Sequence, residues 1–293
     1  MGFGGVQFLG ACVGSGSNDL GAGLGPISLA PHFNDSLHLI SENRSGRAHQ
    51  ALPGILEFNM KLASLTSLVK SKGKFPVVLG GDHSCAMGTW SGISDFHGKP
   101  LGLLWIDAHM DAHTFETSET GNIHGMPLAT LMGYGDKELS QLMFEGPKVD
   151  PARTVLFGVR SFESSEAKLL EQLQVRVFFM GEILSRGFEV CWNEALAIVD
   201  SGKEAFGVSL DLDGLDPKLI PGVGTPVALG LSAQKVYEGL IHLLENPRLS
   251  ALEIVEYNPL HDRDFVTGNY VLKLCDQVEK ILGNRSHSKE FQI

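Results

Sequence analysis

The chain has 293 residues, of which 43% are hydrophobic and 19% are charged, and its formal net charge is −11. This composition is typical of a folded globular protein and excludes a disordered chain. The negative charge argues against nucleic acid or an anionic membrane as the main partner and is compatible with a small cationic substrate.

The cysteines and the N-terminal segment bear on the cellular compartment. The four cysteines are far apart in the sequence, so there is no CxxC pair for zinc or redox chemistry, and we expect each to be buried as a small apolar side chain. We find no basic segment followed by an apolar stretch that would mark a signal peptide, and no apolar run approaches the roughly 18 residues of a membrane helix. We therefore expect a cytoplasmic protein.

Short apolar runs alternate with amphipathic segments along the chain. Continuous hydrophobicity predicts strands buried on both faces, as in a parallel sheet. The predicted strands are Val6–Cys12, Phe75–Leu79, Leu101–Ile106, Thr154–Val159, Val175–Phe179, Phe206–Leu210 and Leu252–Val255. Apolar residues at helical spacing predict helices at Pro53–Lys72, Ser164–Gln174, Glu189–Asp200, Ser232–Glu245 and Gly268–Leu282. This alternation predicts a three-layer α/β sandwich with a central, mainly parallel sheet.

Neither an internal repeat nor a linker rich in Pro, Gly or Ser divides the chain, so residues 1–283 are predicted to form a single domain. Gly283 is expected to close the last helix. The polar segment Asn284–Ile293 would then be a C-terminal tail, either mobile or in contact with another subunit. The glycine-rich segment 2–25 matches neither GxGxxG nor GxxxxGK[ST], so its glycines are interpreted as turn residues.

Three polar clusters directly follow three of the predicted strands. They are GGDHS at 80–84, DAHMD at 107–111 and DLDGLDP at 211–217. Open α/β sheets bind ligands beyond the carboxyl ends of their strands, so these clusters should converge on one cleft. Side chains two apart in an extended chain point the same way. Asp107, His109 and Asp111 would therefore share a direction if extended geometry persists past the strand, and so would Asp211 and Asp213.

Together with His83, these residues supply four carboxylates and two imidazoles. Carboxylates packed together repel one another and their pKa values rise, whereas two divalent cations would balance the four negative charges. Carboxylate and imidazole ligands without a thiolate suit Mn²⁺, Zn²⁺, Fe²⁺ or Co²⁺. A single DxHxD segment could equally be a capped or surface loop, but three such clusters after three buried strands favour a binuclear metal site.

Four motifs, GGDHS at 80–84, DAHMD at 107–111, SLDLDGLDP at 209–217 and EYNP at 256–259, occur in this order. In these motifs the sequence resembles the ureohydrolase superfamily, the manganese enzymes that include arginase and agmatinase. The resemblance is clearest from Gly80 to Pro259. It implies an α/β sandwich with a parallel sheet of about eight strands, two Mn²⁺ per subunit, and a homo-oligomer, either a trimer or a hexamer.

The resemblance also implies a role for each motif residue. One metal would be bound by His83, Asp107, Asp111 and Asp211, and the other by Asp107, His109, Asp211 and Asp213. Asp107 and Asp211 would bridge the two metals. Such a site suits a guanidinium carbon, which resonance makes a poor electrophile, because paired metals lower the pKa of water.

Three further roles concern the reacting group. Asp111 would handle the proton of the leaving amine, and His124 would move protons to or from bulk water. Glu256 would orient the guanidinium by two parallel hydrogen bonds. A carboxylate at this position could otherwise be a helix-cap or surface acid, but the EYNP context after a buried strand favours the site.

The segment after the metal motif, 113–127, indicates which guanidino compound is bound. Ser118, Thr120 and Asn122 match positions that bind the amino-acid carboxylate in arginases. All three are neutral hydrogen-bonding groups, and a decarboxylated substrate would not need them. Hydroxyls and Asn beside a glycine also form ordinary turns, so a purely structural loop is the alternative.

A second loop, 158–166, carries three charged residues of interest. Glu163 matches an acid that contacts the α-amino group in arginases, and Glu166 matches a second acid of that loop. Arg160 is interpreted as structural. Thr225, in Gly-Thr-Pro, matches a threonine near the substrate, with a plain turn as the alternative.

The chain departs from the usual arginase residues at four of these positions. His113 stands for Asn, Ser118 for Thr, Thr120 for Ser, and Glu163 for Asp. Each of the four keeps hydrogen-bonding capacity but changes the reach of the side chain.

The sequence leaves three functions to be distinguished. The first is arginase activity, in which L-arginine and water give L-ornithine and urea. The second is a sister enzyme acting on agmatine, guanidinobutyrate, another guanidino acid or formiminoglutamate. The third is a catalytically silent homologue, and the presence of all six metal positions together with His124 and Glu256 argues against it.

Overall fold

The computed structural model describes residues 4–44, 46–202 and 204–287, with side chains as far as Gly283. The strands are β1 (Val6–Cys12), β2 (Leu37–Ser41), β3 (Phe75–Gly80), β4 (Leu101–Ile106), β5 (Val149–Val159), β6 (Arg176–Phe179), β7 (Phe206–Asp211) and β8 (Leu249–Val255). Within the described residues these strands form one sheet in the order β2-β1-β3-β8-β7-β4-β5-β6. Every neighbouring pair is parallel.

Helices cover both faces of the sheet. They are α1 (Gly25–Leu29), α2 (Leu52–Ser71), α3 (Ala86–His97), α4 (Pro127–Leu131), α5 (Lys137–Ser140), α6 (Ser164–Gln172), α7 (Met180–Arg186), α8 (Phe188–Val199), α9 (Ala233–Leu243) and α10 (Val266–His287). The alternating side chains of β4 enter two different cores. Leu104 and Ile106 pack with residues of α8, α9 and α10, whereas Leu103 and Trp105 pack with residues of α3 and α4. The predicted three-layer α/β sandwich is therefore confirmed.

All seven predicted strands are confirmed to within a few residues, but β2 was missed. It lies at the edge of the sheet, and His38 interrupts its short apolar pattern. Helix α3 was also missed, because its glycines and serines weaken the helical periodicity of hydrophobic residues. The structure explains these glycines: a Cβ at Gly92 would lie 2.1 Å from the carbonyl oxygen of Ala63 in α2, so only glycine allows the two helices to pack this closely.

The predicted end of the last helix at Gly283 is wrong. Helix α10 continues to His287, so the first four residues of the predicted tail 284–293 are helical, and residues 288–293 lie outside the described part of the chain. Among the described side chains, a Cβ at Gly283 would meet Glu279 Cγ at 3.9 Å, and the backbone there is not left-handed. Gly283 therefore does not form the left-handed cap that ends many helices.

The four central strands place the motifs side by side. They are β3, β8, β7 and β4, and their pairs keep the ends in register, with Leu79 opposite Ile254, Asp211 opposite Val255 and Ile106 opposite Leu210. Because the strands are parallel, the segments that follow them emerge at the same edge of the sheet.

The predicted burial of Cys12, Cys85, Cys191 and Cys275 is confirmed, and none of them forms a disulfide. Across the described residues, the helices lack the combination of length and apolar character that a membrane crossing requires.

Candidate metal centre

The first group of metal-ligating side chains lies at the carboxyl ends of β3, β4 and β7 and consists of His83, Asp107, Asp111 and Asp211. His83 Nδ1 lies 3.3 Å from Asp107 Oδ2, 3.0 Å from Asp111 Oδ2 and 3.1 Å from Asp211 Oδ2. All four side chains are buried. Three carboxylate oxygens and one imidazole nitrogen thus surround a common point, as ligands surround a divalent cation.

The second group shares one residue with the first and consists of Asp107, His109 and Asp213. His109 Nδ1 lies 3.1 Å from Asp213 Oδ2 and 3.5 Å from Asp107 Oδ1. Asp107 therefore turns one oxygen to each group and is placed to bridge two cations. Asp211 belongs to the first group, and its Oδ1 accepts a hydrogen bond from the Asp213 amide at 2.8 Å. A bridging role for Asp211 stays a prediction.

The state of His83 is the clearest sign that this cluster fits metal ions. Its Nδ1 is buried and makes no hydrogen bond to any residue that the structure describes, although three carboxylate oxygens lie within 3.3 Å. A buried polar atom without a partner is costly. A divalent cation would accept the lone pair of Nδ1 and neutralise the carboxylates at the same time.

Burial shapes the protonation of the carboxylates. It raises the pKa of Asp111 to about 6, and the charge of Asp107 adds to the rise. Burial likewise raises the pKa of Asp211 well above its usual range, and the negative charges of Asp213 and Asp107 raise it further. For Asp107, burial is opposed by the neighbouring imidazoles of His109 and His83, and the pKa is lowered. Cations at the centre would stabilise the ionised form of all these groups.

A chain of hydrogen bonds fixes the ring of His83 from its other nitrogen. His83 Nε2 lies 2.9 Å from Ser209 Oγ, and Ser209 Oγ donates to Glu253 Oε2 at 2.7 Å. Trp90 Nε1 donates to the same oxygen at 3.0 Å. Since Ser209 donates its hydrogen to Glu253, its oxygen accepts from His83 Nε2–H, which leaves the lone pair on Nδ1. The ring also stacks on Trp105, with centroids 4.0 Å apart.

The backbone after each strand turns more sharply than the sequence suggested. Extended alternation does not continue to Asp111, because this residue has a left-handed backbone with φ of 51°. Asp211 ends β7 and caps a short 3-10 helix, Leu212–Gly214. The expected convergence is confirmed, but loop turns produce it. Left-handed backbone at non-glycine residues is strained and is often found at functional sites.

His124 and Glu256 form a pair beside the first group. His124 Nδ1 lies 3.2 Å from Glu256 Oε1, which also accepts the His83 amide hydrogen at 2.8 Å. Burial disfavours the charged imidazole, but the hydrogen bond and the charge of Glu256 outweigh it and raise the pKa of His124 to about 9. Glu256 itself is buried, with 3% of its surface exposed, and has φ of 65°. The two residues are thus held together in one orientation.

A cavity of about 200 Å³ opens over both groups. Among the described residues, its wall contains every substrate-binding residue expected from the sequence, namely His113, Ser118, Thr120, Asn122, Glu163, Glu166 and Thr225. The wall also includes His124 and four residues of the two His/Asp groups, namely His109, Asp111, Asp211 and Asp213. Glu256 is not among the lining residues and contacts the cavity wall through His124.

The hydroxyls of Ser118 and Thr120 stabilise the turn of their loop, and both residues also line the cavity. Ser118 Oγ accepts from the Gly121 amide at 3.0 Å, and Thr120 Oγ1 accepts from the Asn122 amide at 3.2 Å. The two hydroxyls also share a long hydrogen bond of 3.4 Å, which uses one of their hydrogens and leaves the other to be donated to a ligand. Asn122 Oδ1 is buried without a hydrogen-bond partner in the described part of the chain.

The remaining predicted residues divide into binding and supporting positions. Thr225 Oγ1 donates to Asp213 Oδ2 at 2.8 Å and so orients a residue of the second group. Glu166 is buried, and its two oxygens accept the amides of Ala112 and Glu163. The structural role expected for Arg160 is confirmed, because its guanidinium donates to the backbone carbonyls of Gly158, residues 213–215 and residues 227–228 and so joins three segments.

Comparison with known proteins agrees with this geometry. The sequence profile of the arginase family matches residues 6–278. The chain belongs to the arginase family. An arginase from Brevibacillus brevis is 40% identical over 252 residues, which cover 86% of this chain and 81% of that protein.

Solved structures support the same membership. The crystal structure of an arginase from Bacillus subtilis aligns with a TM-score of 0.84 at 34% identity, covering 94% of this chain and 97% of that one. The native arginase of Bacillus caldovelox aligns with a TM-score of 0.85 at 33% identity, with the same coverage. This arginase-family chain therefore has the family's α/β fold and is a ureohydrolase.

Sequence reasoning missed the residues that support the ligands. Ser209 lies two positions before Asp211 in β7, so strand alternation could have placed it on the same face. Glu253 is a fully buried carboxylate within the otherwise apolar strand β8, and this mismatch was the signal for it. Trp90 gave no signal, because α3 itself was missed.

Proposed function

We propose that this arginase-family chain hydrolyses the guanidino group of L-arginine to give L-ornithine and urea at a pair of Mn²⁺ ions. The observation that carries the proposal is the placement of two His/Asp groups, joined by Asp107, at the base of a cavity whose wall is polar. The similarity to arginases over most of the chain supports the choice of reaction.

The proposed metal ligands are those of the two groups. His83, Asp107, Asp111 and Asp211 would hold one ion, and Asp107, His109, Asp211 and Asp213 the other. Bound divalent cations supply a nucleophile near neutral pH by lowering the pKa of water. Mn²⁺ suits a set dominated by carboxylate oxygens, and Co²⁺ or Fe²⁺ are the alternatives.

The chain's own residues would manage the protons. Asp111 lines the cavity, where its carboxylate is placed to take a proton and pass it to the leaving amine. His124 also lines the cavity and would exchange protons with bulk water. Its high pKa makes it a donor at neutral pH. Glu256 holds His124 in place through its Oε1. It would orient the guanidinium either through His124 or directly through its second carboxylate oxygen, Oε2.

The cavity wall is suited to an amino-acid head group. Ser118, Thr120 and Asn122 offer neutral donors to a carboxylate, and Glu163 offers a carboxylate to an ammonium group. Glu166 and Thr225 would contribute mainly by holding Glu163 and Asp213. We also propose, from the family resemblance, that residues 1–283 act as a single domain in a cytoplasmic homo-oligomer, a trimer or a hexamer, which light scattering of the purified protein would test.

The test is to load the protein with Mn²⁺ and to measure urea from L-arginine and agmatine side by side, with a chelated control. We expect urea from arginine that chelation abolishes. If only agmatine releases urea, the enzyme is a sister ureohydrolase that acts on agmatine. The substrate-binding roles assigned to four residues would then be wrong, namely those of Ser118, Thr120, Asn122 and Glu163. A metal-loaded protein that is inert towards all guanidino compounds would overturn the proposal.

A variant of the proton carrier sharpens this test. Replacing His124 with Asn should lower kcat about 100-fold with little change in bound metal, because positioned acid–base groups contribute on that order. His261→Asn is a matched control, since His261 is an exposed histidine paired with Asp19 and does not line the cavity. Equal activity of the two variants would contradict the role of His124.

A further inference from the structure

The glycine-rich segment that follows β1 contacts the proton carrier of the candidate site. Gly16 uses both of its backbone polar groups there. Its amide donates to Asp82 Oδ2 at 2.8 Å, and its carbonyl oxygen accepts the amide hydrogen of His124 at 3.1 Å. One residue of the N-terminal segment therefore joins a buried carboxylate to the histidine that lines the cavity.

Asp82 is the carboxylate of the GGDHS motif, and it belongs to neither of the two His/Asp groups. Its side chain is fully buried. Besides the amide of Gly16, it accepts the amide and the hydroxyl hydrogen of Ser84 through Oδ1. A buried carboxylate is costly unless hydrogen bonds satisfy it, so these three bonds fix the position of Asp82 and of the groups that donate to it.

The residues just before Gly16 are held by a second buried carboxylate. Glu42 Oε1 accepts the amides of Gly14 and Ser15 at 3.0 and 3.2 Å, and the side chain of Glu42 is only 3% exposed. Two carboxylates thus hold the backbone of three consecutive residues. The carbonyl oxygen that accepts from His124 is therefore part of a fixed segment.

The contact between Gly16 and Asp82 leaves no space for a side chain. A Cβ at Gly16 would lie 2.9 and 3.0 Å from the two carboxylate oxygens of Asp82 and 3.0 Å from Ser84 Oγ. Contacts this short would push the carboxylate or the backbone of Gly16 away. The position of this glycine is thus explained by its approach to Asp82, whereas the sequence indicated only a turn.

We propose that Asp82 is a positioning residue for His124 and acts on it through Gly16, an inference that rests on the proposed function of His124 as proton carrier. Glu256 holds the side chain of His124, whereas Asp82 and Gly16 hold its backbone. A proton carrier must keep its ring within hydrogen-bonding reach of the groups that it serves. Small displacements of such a group lower the rate strongly.

The first test is Asp82→Asn, which keeps the shape of the side chain. Its amide nitrogen cannot accept a hydrogen bond, so either Gly16 or Ser84 loses its acceptor. We expect kcat for L-arginine to fall about tenfold, while KM and the affinity for both Mn²⁺ ions stay within about twofold of the parent. Gly16→Ala crowds the same carboxylate and should give the same result, also if Asp82→Asn does not fold.

A double-mutant cycle separates positioning from a general structural role. If Asp82 acts through His124, then Asp82→Asn should lower kcat by no more than about twofold once His124 is replaced by Asn. A merely structural role would lower kcat by the same factor in both backgrounds. That outcome would overturn the proposal, and so would a loss of Mn²⁺ affinity large enough to account for the fall in kcat.

Hydrogen exchange tests the same contact without turnover. The amide of His124 donates to Gly16 in the parent and should exchange about tenfold faster in Asp82→Asn and in Gly16→Ala. Mass spectrometry of peptides that contain residue 124 follows this exchange. An unchanged rate in both variants would show that Asp82 does not hold the backbone of His124.

Asp136→Asn is the matched control. Asp136 also accepts two backbone amides, those of Glu138 and Leu139 at 3.0 Å, and it does not line the cavity. This variant should leave kcat and the exchange at residue 124 at the parent values. If the parent releases no urea from any guanidino compound, the proposed function fails. If the parent is active and the two losses are independent in the double-mutant cycle, this inference alone is wrong.

Discussion

Replacing Ser209 with Ala would test how the protein prepares His83 for a metal ion. Ser209 is fully buried in β7, accepts from His83 Nε2–H and donates to Glu253. Alanine removes the hydroxyl with a small loss of volume. His83 Nε2–H then has no acceptor, and the ring can shift its hydrogen to Nδ1, which faces Asp107, Asp111 and Asp211. A hydrogen on Nδ1 would occupy the lone pair that a metal needs.

The expected loss of metal affinity follows from the lost hydrogen bond between His83 and Ser209. Leaving a buried donor without a partner costs about 1–3 kcal/mol, and the metal must overcome this cost to restore the ligating tautomer. One tenfold change in affinity corresponds to about 1.4 kcal/mol, so the variant should bind the first Mn²⁺ about 10- to 100-fold more weakly. The second group consists of Asp107, His109 and Asp213 and does not include His83, so it should keep its affinity.

The assay is a titration of Mn²⁺ against a competing chelator, with free Mn²⁺ followed by electron paramagnetic resonance. We expect two Mn²⁺-binding steps in the parent. In Ser209→Ala, the affinity should fall in only one of the two steps. Ser94→Ala is the matched control, because Ser94 is also fully buried and donates to the carbonyl of Lys99, in a helix away from the centre. Parent-like affinity for both ions in Ser209→Ala would refute the reasoning about the tautomer.

Two further predictions concern stability. Arg160→Lys should lower the free energy of unfolding by about 2–4 kcal/mol in urea titrations, because lysine cannot serve the carbonyls of Asp213, Gly214 and Val227 that the guanidinium bridges. An unchanged midpoint would show that these carbonyls find other donors. Burial lowers the pKa of His97 to about 4, and the positive charges of Lys70 and Lys99 add to this effect. Neutral His97 therefore stabilises the fold above pH 6.5, and this stabilisation is lost as the pH falls through 4. His97→Gln should therefore reduce the acid-induced fall in Tm between pH 6.5 and 4 by the equivalent of about 1 kcal/mol, discounted for partial exposure, and a parallel fall in both proteins would contradict the assignment.

The residues of the two His/Asp groups could be predicted from the sequence because they closely follow hydrophobic strands. Asp107 follows Leu101–Ile106 and Asp211 ends a similar run, so the parallel-sheet rule was enough to bring them to one edge. The order of the strands could not be read in the same way. Strand β8 pairs with its sequence neighbour β7 on one side and with the distant strand β3 on the other, and the pairing with β3 brings Glu256 next to His83.

Supporting residues were harder to predict, since their role depends on contacts between distant segments. Glu253 acts on His83 only through Ser209, and Trp90 reaches the same carboxylate from α3. Neither Glu253 nor Trp90 belongs to a short motif, and Trp90 would otherwise pass for an ordinary core residue. The edge strand β2 and the glycine-rich helix α3 were missed for a related reason, because both lack a clear hydrophobic period.

The sequence by itself determined the layered α/β architecture and the residue types of the candidate metal centre. Hydrophobic periodicity is a local property, and the ligand types are written directly into the segments after the strands. Only the tertiary structure decided that Asp107 is the residue shared by both groups, that Asp111 turns inward through a left-handed backbone, and that His113 is paired with Glu163. These relations are distances between residues that the chain separates by up to about a hundred positions, and packing alone sets such distances.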